Sequence, residues 1–278
     1  MVLACVSPLV GVCSPLGDLW AGARLLTNAG EGEPRAIARA ERIGPDRVAR
    51  YGTFGPELVL LHGAHEEGID HPRFVRLAEA LAAEGLRVYV PELPGLKALR
   101  FDPADLEVLD RGPDGAAVFG ISLGGGLALR YAAEHPDKYR MVWTLGAHYD
   151  LGDVVVHHLE HPEGDPYARE VFRAAFGEAL DERGPDAFAH VWHAMSPAGR
   201  MGTMEVPVFA LHGVADPLVP PGHATRICEE APRCRALVTP VLGHSEVNET
   251  SWSERLALAR FAGVALRATR QFQARSAP

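Results

Sequence analysis

An apolar run changes directly into a helical pattern at Val118-Phe119-Gly120-Ile121-Ser122-Leu123-Gly124-Gly125-Gly126. The apolar residues predict a buried strand, and Leu127-Ala128-Leu129-Arg130-Tyr131-Ala132-Ala133 continues as a helix. Between a strand and a helix, Gly-x-Ser-x-Gly predicts a sharp, strained turn with the serine hydroxyl at its tip. Glycine is needed at both flanks because a side chain there would collide with the neighbouring helix or strand. Ser122 is therefore a candidate nucleophile, although the pentapeptide alone is weak evidence in a chain with 29 glycines.

Length, composition and charge restrict the class of protein. A chain of 278 residues suits one α/β domain with a sizeable core, and 47% apolar with 23% charged residues is typical of a globular protein. The net charge of −9 and the lack of a basic stripe exclude nucleic acid as an expected partner. An acidic surface suits neutral or cationic substrates better than anionic ones.

The order of the predicted elements indicates one fold class. Helical patterns, such as the one that carries Phe74, Leu77 and Leu81 on one face, alternate with apolar strand-like segments. The segments typical of strands are Ala36–Ile43, Arg47–Thr53, Glu57–Leu61, Arg87–Val90, the run before Ser122, Met141–Leu145, Val208–Leu211 and Ala236–Val241. A terminal helix is expected over Trp252–Arg267. This alternation predicts an α/β fold with a mostly parallel central sheet flanked by helices.

Residues 150–200 interrupt the alternation. Two amphipathic helices are expected there, one carrying Phe172 and Phe176 and the other carrying Phe188 and Trp192. We interpret the interval as a small helical lid insertion whose four aromatic side chains bind substrate. The alternative is that these are ordinary layer helices whose apolar faces belong to the core.

Two candidate partners for Ser122 follow later strands. Asp216 lies after the strand that ends near Leu211, and His244 lies after the strand that ends near Val241. The carboxyl ends of parallel strands open onto one crevice, so all three loops are expected to converge. A histidine can take the serine proton and return it to a leaving group, and an aspartate can orient the histidine.

With the order Ser122, Asp216, His244, the chain resembles the α/β-hydrolase superfamily. The resemblance covers about Ala36 to Arg267. It implies a core of residues 36–149 and 201–270, with the lid at 150–200 and an N-terminal segment, residues 1–35, whose role the sequence leaves open. It also implies a Ser-His-Asp triad that cleaves carboxylic esters through an acyl-enzyme, as in a serine carboxylesterase.

The expected reaction also needs hydrogen-bond donors for an oxyanion. The backbone amide of Leu123, directly after the nucleophile, is the first expected donor. His62-Gly63-Ala64-His65 resembles the superfamily's His-Gly motif, which implies the amide of Ala64 as the second donor. His62 itself is interpreted as a structural residue that braces this loop.

Other chemistries stay open or are disfavoured. A thioesterase, peptidase or carbon–carbon bond hydrolase on the same fold, or a non-hydrolytic ligand-binding protein, remains an alternative. Neither a phosphate-binding nor a dinucleotide-binding glycine motif is present, so no cofactor is expected. The run His157-His158-Leu159-Glu160-His161, with Asp165 nearby, crowds potential ligands together without a complete metal motif. We interpret it as a solvated segment of the insertion and expect no metal. The expected partner is a small-molecule ester with an apolar portion.

Residues 1–17 are uncharged and contain Cys5 and Cys13. They lack the basic start of a secretory signal and are too short and too broken by proline to span a bilayer. We favour a cytoplasmic location, and the sequence leaves open export or lipid anchoring, with membrane contact only through this segment. Cys228 and Cys234 are close enough to bridge, but four free thiols are the favoured interpretation. Oligomeric state and natural substrate are not encoded in any interpretable feature.

Overall fold

The strand-like segments form one eight-stranded sheet. The computed structural model describes residues 15–30, 39–43, 46–161, 164–177, 179–244, 248 and 250–274. The strands are β1 (Arg39–Ile43), β2 (Asp46–Tyr51), β3 (Glu57–Leu61), β4 (Arg87–Pro91), β5 (Ala116–Ile121), β6 (Tyr139–Leu145), β7 (Val208–Gly213) and β8 (Cys234–Thr239). Their order across the sheet is β1-β2-β4-β3-β5-β6-β7-β8.

Helices connect and cover the strands. They are α1 (Pro15–Gly30), α2 (Pro72–Ala83), α3 (Pro94–Lys97), α4 (Asp105–Asp110), α5 (Leu123–Glu134), α6 (Leu151–Glu160), α7 (Pro166–Phe176), α8 (Ala179–Arg183), α9 (Ala189–Met195), α10 (Gly222–Glu230) and α11 (Trp252–Ala274). Short 3₁₀ turns occur at Gly68–Asp70, Pro185–Phe188 and Met201–Thr203.

The six strands from β4 to β8 across the sheet pair in parallel, whereas β1 and β2 form an antiparallel edge. The prediction of an α/β fold with a mostly parallel sheet is confirmed. The strand β5 lies at the centre, where Val118 pairs with Val59 of β3 and Val142 of β6. All three side chains are fully buried, as expected for a strand covered on both faces.

Side chains of β5 alternate between two apolar clusters, one on each face of the sheet. Val118 joins the cluster that contains Leu127 of α5. Phe119 joins the opposite cluster, which contains Leu81 of α2 and Leu266 of α11. This alternation follows from the two-residue period of a strand, and it fixes α5 on one face and α2 with α11 on the other.

Element boundaries differ from the sequence predictions at several ends. The last strand ends at Thr239 rather than Val241, and the terminal helix continues to Ala274 rather than ending at Arg267. In the first predicted strand, residues 36–38 lie outside the described residues, as does the turn at residues 44–45. Ends are the least certain part of any pattern-based assignment because the apolar period fades where a segment leaves the core.

The helix α1 packs against α11. A methyl group at Gly22 would overlap the carbonyl oxygen of Ala259, and one at Gly263 would overlap that of Asp18, so the two backbones are in close contact. Arg24 of α1 also forms a bidentate salt bridge with Glu84, in which Nε donates to Oε1 at 2.9 Å and Nη2 donates to Oε2 at 2.8 Å. Part of the N-terminal segment is therefore docked on the domain, while residues 1–14 lie outside the described residues.

The interval 150–200 is more helical than the sequence predicted. The two expected amphipathic helices are found as α7 and, after a 3₁₀ turn, α9. The helix α6 was missed, and the expectation that residues 157–161 are solvated is wrong for His158, which is buried. In the described part of the chain, no helix combines the length and apolarity that a bilayer crossing requires.

Cys228 at the end of α10 forms a disulfide with Cys234 at the start of β8, with Cα atoms 4.9 Å apart. The favoured interpretation of free thiols is therefore wrong for this pair. The linker of Glu229 to Arg233 reverses the chain and brings the two cysteines together. The number of intervening residues shows that a bridge is possible, but not that the chain turns back in this way. Cys5 and Cys13 lie outside the described residues.

Candidate active site

Ser122 stands between β5 and α5 in a strained backbone conformation. Its φ of 53° and ψ of −124° are unusual for a residue with a side chain, and such conformations cost about 1–3 kcal/mol. Methyl groups at Gly120 and Gly124 would overlap the carbonyl oxygens of Gly124 and His62, respectively. The structure thus gives the physical reason for both flanking glycines: the turn is tight enough for backbone to contact backbone.

Asp216 and His244 form a buried hydrogen-bonded pair. His244 Nδ1 lies 2.8 Å from Asp216 Oδ2, and both residues are less than a tenth exposed. Asp216 Oδ1 accepts hydrogen bonds from the amides of Leu218 and Val219, both at 2.9 Å. These contacts fix the carboxylate. Because a carboxylate can only accept a hydrogen bond, His244 carries its proton on Nδ1, and Nε2 has a free lone pair.

A second histidine contacts the same carboxylate. His212, the fifth residue of β7, places Nε2 2.8 Å from the carbonyl oxygen of Val219 and 3.2 Å from Asp216 Oδ2. Burial by itself raises the pKa of Asp216, but the hydrogen bonds from His212 and His244, the charge of His244 and the Val219 amide outweigh it and hold that pKa below its usual value. Asp216 is therefore ionised at neutral pH. The sequence contained His212 four residues before Asp216, but this role was missed.

Ser122 and His244 are both held near the end of β6. The Ser122 amide donates to the carbonyl of Leu145 at 2.8 Å. A methyl group on the next residue, Gly146, would lie 3.0 Å from the His244 ring. The structure thus brings the Asp216–His244 pair to the same strand ends as Ser122, and the catalytic roles of the three residues stay a prediction.

The loop after β3 runs past Ser122. A methyl group at Gly63 would lie 3.6 Å from Ser122 Oγ, so the loop passes directly beside the serine side chain. Within the described part of the chain, neither the Ala64 amide nor the Leu123 amide donates a hydrogen bond. Both amides are thus available to an external acceptor, as the oxyanion prediction requires.

His62 braces this loop. Its Nδ1 donates to the carbonyl of Gly63 at 2.7 Å, and its Nε2 accepts from the amide of Leu93 at 2.9 Å. Burial lowers the pKa of His62 to about 4, against a smaller opposing contribution from the Gly63 hydrogen bond. The ring is neutral at pH 7 and its two nitrogens are both used, which fits the structural role expected from the sequence.

Two side chains of the insertion reach loops at the candidate site. Tyr167 of α7 donates its hydroxyl hydrogen to the carbonyl of Ala64, at 2.6 Å. His158 of α6 donates from Nε2 to the carbonyl of Leu218, two residues after Asp216, at 2.8 Å. The insertion is therefore attached to both the loop after β3 and the loop that carries Asp216. Neither contact was predicted, since no local pattern marks a hydrogen bond between distant segments.

The four aromatic residues predicted to bind substrate pack against each other. The ring centroids of Phe176 lie 4.7 Å from Trp192 and 5.0 Å from Phe188, and Phe172 joins them through Phe101. Phe172 and Trp192 are buried, whereas Phe176 and Phe188 are half-buried. The four rings thus form one cluster. Their contact with substrate stays a prediction, and the half-buried rings of Phe176 and Phe188 are the better candidates for it.

A family model described as the α/β hydrolase fold matches residues 104–190. The chain is 27% identical, over 228 residues, to the pimeloyl-[acyl-carrier protein] methyl ester esterase of Chromobacterium violaceum, with 69% of this chain and 88% of that protein covered. It is 40% identical to the enzyme of the same name from Aromatoleum aromaticum, over 96 residues that cover 33% of this chain and 37% of that protein.

A solved structure shows the same fold. The crystal structure of an α/β-hydrolase enzyme from a sediment metagenome of the lagoon of Mar Chica, Morocco, has a TM-score of 0.52 and 20% sequence identity, and the match covers 74% of this chain and 90% of that chain. The sheet order, the strained serine between β5 and α5 and these similarities lead to one conclusion. The chain has the α/β-hydrolase fold.

Proposed function

We propose that this protein is a serine hydrolase that cleaves carboxylic ester bonds through an acyl-enzyme intermediate. The observation that carries the proposal is the buried pair of His244 and Asp216, 2.8 Å apart, at the strand ends where the strained turn holds Ser122. The relatives from Chromobacterium and Aromatoleum are named as methyl ester esterases, which supports an ester as the substrate.

Each proton transfer of acyl transfer has a candidate group among these residues. His244 Nε2 takes the proton from Ser122 Oγ as Oγ bonds to the ester carbonyl carbon. The carbonyl oxygen becomes an oxyanion, which the amides of Leu123 and Ala64 stabilise. The carbon–oxygen bond to the alcohol then breaks, and the alcohol leaves with the proton from His244. Water repeats the sequence on the acyl-enzyme and releases the acid.

Asp216 supports this cycle through charge. Its ionised carboxylate holds the Nδ1 proton of His244 and stabilises the imidazolium that forms when Nε2 accepts the serine proton. The proton of His212 and two backbone amides keep the carboxylate from rotating. The carboxylate of Asp216 is thereby held in position before the substrate binds.

We assign residues 150–200 as a lid over the site. The support is that α7 contacts the loop after β3 through Tyr167, and α6 contacts the loop of Asp216 through His158. The first of these loops runs past Ser122 and the second carries Asp216, so an insertion attached to both is a candidate cover for the site. The half-buried rings of Phe176 and Phe188 then provide apolar surface for the acyl or alcohol part of a small ester.

An active-site-directed fluorophosphonate tests the proposal. We expect the wild-type protein to be labelled at Ser122 in a one-to-one ratio and Ser122→Ala to be unlabelled. A panel of esters, thioesters and anilides with matched acyl chains then ranks the chemistry, with esters expected to be hydrolysed fastest. A folded Ser122→Ala protein with wild-type turnover would overturn the nucleophile. Labelling without hydrolysis of any substrate would favour a ligand-binding protein.

A further inference from the structure

A cluster of three metal-ligating side chains lies on the segment that joins β3 to α2. His65, Glu67 and His71 offer one ligand atom each, and these atoms all lie within 4.8 Å of one another. Within the described part of the chain, no other group of three such residues is as close. The cluster follows directly after Ala64, outside the proposed catalytic residues.

The local backbone brings the three residues together. The amide of Glu67 donates to His65 Nδ1 at 3.1 Å, which turns the imidazole toward the residues that follow. The chain then passes Gly68, whose φ of 53° reverses its direction, through a 3₁₀ turn to His71 at the start of α2. As a result the His65 and His71 ring centroids lie 4.3 Å apart, and Glu67 Oε2 lies 3.8 Å from His65 Nδ1.

We infer that His65, Glu67 and His71 form a binding site for a divalent transition-metal ion of the Zn²⁺ type. Two imidazoles and a carboxylate are a ligand set that Zn²⁺ accepts, with metal–ligand distances of about 2.0–2.2 Å. Ligand atoms around a tetrahedral ion are then about 3.3 Å apart. Pairs of ligand atoms at the upper limit of 4.8 Å must approach by about 1.5 Å, which partly exposed side chains achieve by rotation.

The surrounding charges favour a modest affinity. Glu67 contributes a negative charge, whereas Arg73 and Arg76 of α2 act on His71 with positive charge. Asp70 is not available as a fourth ligand because Arg47 holds both of its carboxylate oxygens, at 2.6 and 2.7 Å. A three-ligand site leaves the remaining coordination position to water or to an external donor.

The histidines singled out in the sequence are a poorer site. Asp165 Oδ1 accepts the amides of Tyr167 and Ala168 as the cap of α7, and His161 Nδ1 donates to the carbonyl of His157. In the part of the chain that the structure describes, these residues do not bring three ligand atoms within 4.8 Å of one another, whereas His65, Glu67 and His71 do. The pair of His157 and His161, with ring centroids 4.5 Å apart, is thus a matched control on the same protein.

Isothermal titration of the metal-free full-length protein with ZnCl₂ tests the inference. We expect one ion per chain, at least tenfold weaker binding in His65→Gln and in His71→Gln, and a smaller loss in Glu67→Gln. His157→Gln should bind as tightly as the wild type. Equal affinity in all variants, or a loss confined to His157→Gln, would overturn the site.

Spectra with CoCl₂ supply an independent measurement. Binding at the proposed site should give the visible bands of a nitrogen- and oxygen-ligated ion, and these should vanish in His65→Gln. A thiolate charge-transfer band would place the metal on cysteine and overturn the assignment. Ser122→Ala should bind Zn²⁺ as the wild type does, so failure of the metal site and failure of the esterase proposal are distinguishable.

Discussion

At the scale of single residues, Asp216 has the most heavily constrained side chain of the candidate site. It is buried, it receives two backbone amides, and it is contacted by His212 and His244. These contacts lower its pKa against the effect of burial, so it carries a full negative charge beside an imidazole. The size of its contribution to catalysis can be tested without removing its packing.

Asp216→Asn should lower kcat/KM by roughly three to four orders of magnitude while the protein remains folded. The amide oxygen can still accept from Leu218 and Val219, but an amide nitrogen facing His244 favours the tautomer with its proton on Nε2. That tautomer cannot accept the serine proton. Steady-state hydrolysis of a short ester, with circular dichroism as the folding check, measures the effect. Asp153→Asn, at an exposed carboxylate, should leave turnover unchanged, and a similar loss in both variants would contradict the assignment.

Sequence reasoning predicted Ser122, Asp216 and His244 as the catalytic residues because each follows an apolar strand, and a strand leaves a period-two or fully apolar pattern. It missed His212 because a histidine at a strand end has no distinctive spacing to a carboxylate until the loop is folded. The same limit applies to the Cys228–Cys234 disulfide, whose geometry depends on how α10 meets β8.

At the scale of elements, α7 is linked to the loop that is proposed to hold the oxyanion. The Tyr167 hydroxyl donates to the carbonyl of Ala64, whose own amide is the proposed second donor. A hydrogen bond to this carbonyl restricts rotation of the peptide plane between Ala64 and His65, and through it the loop that carries the Ala64 amide. We therefore predict that Tyr167 is a positioning residue, with a hydroxyl that acts through the backbone of this loop rather than on the substrate.

Tyr167→Phe should lower kcat about three- to tenfold with little change in KM. One hydrogen bond contributes about 0.5–1.5 kcal/mol net, and here its loss affects the alignment of a donor used in the transition state. Steady-state kinetics on a soluble ester measures both constants. Tyr131→Phe, which removes a hydroxyl hydrogen-bonded to Asp110 near the far end of α5, is the matched control. A raised KM with an unchanged kcat would place Tyr167 in substrate binding instead.

The aromatic cluster of the insertion separates into rings with different expected roles. Trp192 is buried and donates from Nε1 to the carbonyl of Pro185 at 2.9 Å, so it holds α9 against the preceding turn. Phe188 is half-buried, and part of its ring remains available to a ligand. The sequence assigned both to substrate because periodicity shows only that they share an apolar face.

Phe188→Ala should reorder the preference among ester chain lengths by roughly tenfold or more in relative kcat/KM, because one apolar pocket contact contributes about 1–3 kcal/mol to discrimination. Trp192→Ala should mainly destabilise the protein, by about 3–5 kcal/mol, as for a truncated core aromatic. Melting temperatures and a chain-length series on the same variants measure both effects. An unchanged substrate profile in Phe188→Ala would mean that the ring belongs to the core of the insertion and would argue against the lid.

At the scale of the whole molecule, several histidines are buried as neutral rings. Burial lowers the pKa of His62 and His148 to about 4 and that of His223 to about 3. His223 accepts the amide of Tyr149 and His148 donates to the carbonyl of Met195, so these rings join the root of the insertion to α10 and α9. Each is held uncharged in the folded protein at a pH where the unfolded chain would protonate it.

The sign of the pH dependence follows from these shifts. A histidine whose pKa is lower in the folded protein does not reduce the free energy of unfolding above pH 6.5, which is about its pKa in the unfolded chain. As the pH falls from 6.5 toward the pKa in the folded protein, the unfolded chain takes up the proton and the protein loses stability. Asp105 acts in the opposite direction, since burial raises its pKa to about 6 against hydrogen bonds from the amides of Gly95 and Leu96. Between pH 7 and pH 5, each of these histidines lowers the free energy of unfolding by about 2 kcal/mol, whereas Asp105 raises it by about 1 kcal/mol. The histidines therefore decide the sign of the change.

The protein should therefore lose several kcal/mol of unfolding free energy between pH 7 and pH 5, before most carboxylates titrate. His223→Gln should reduce this loss by roughly a third, because the amide keeps a hydrogen-bonding side chain at the site but cannot take up a proton in the unfolded chain. Urea unfolding at a series of pH values measures the slope for each protein. His190→Gln, at an exposed position, should leave the slope unchanged. Equal slopes for the wild type and His223→Gln would contradict the assignment of this acid sensitivity to the buried ring of His223.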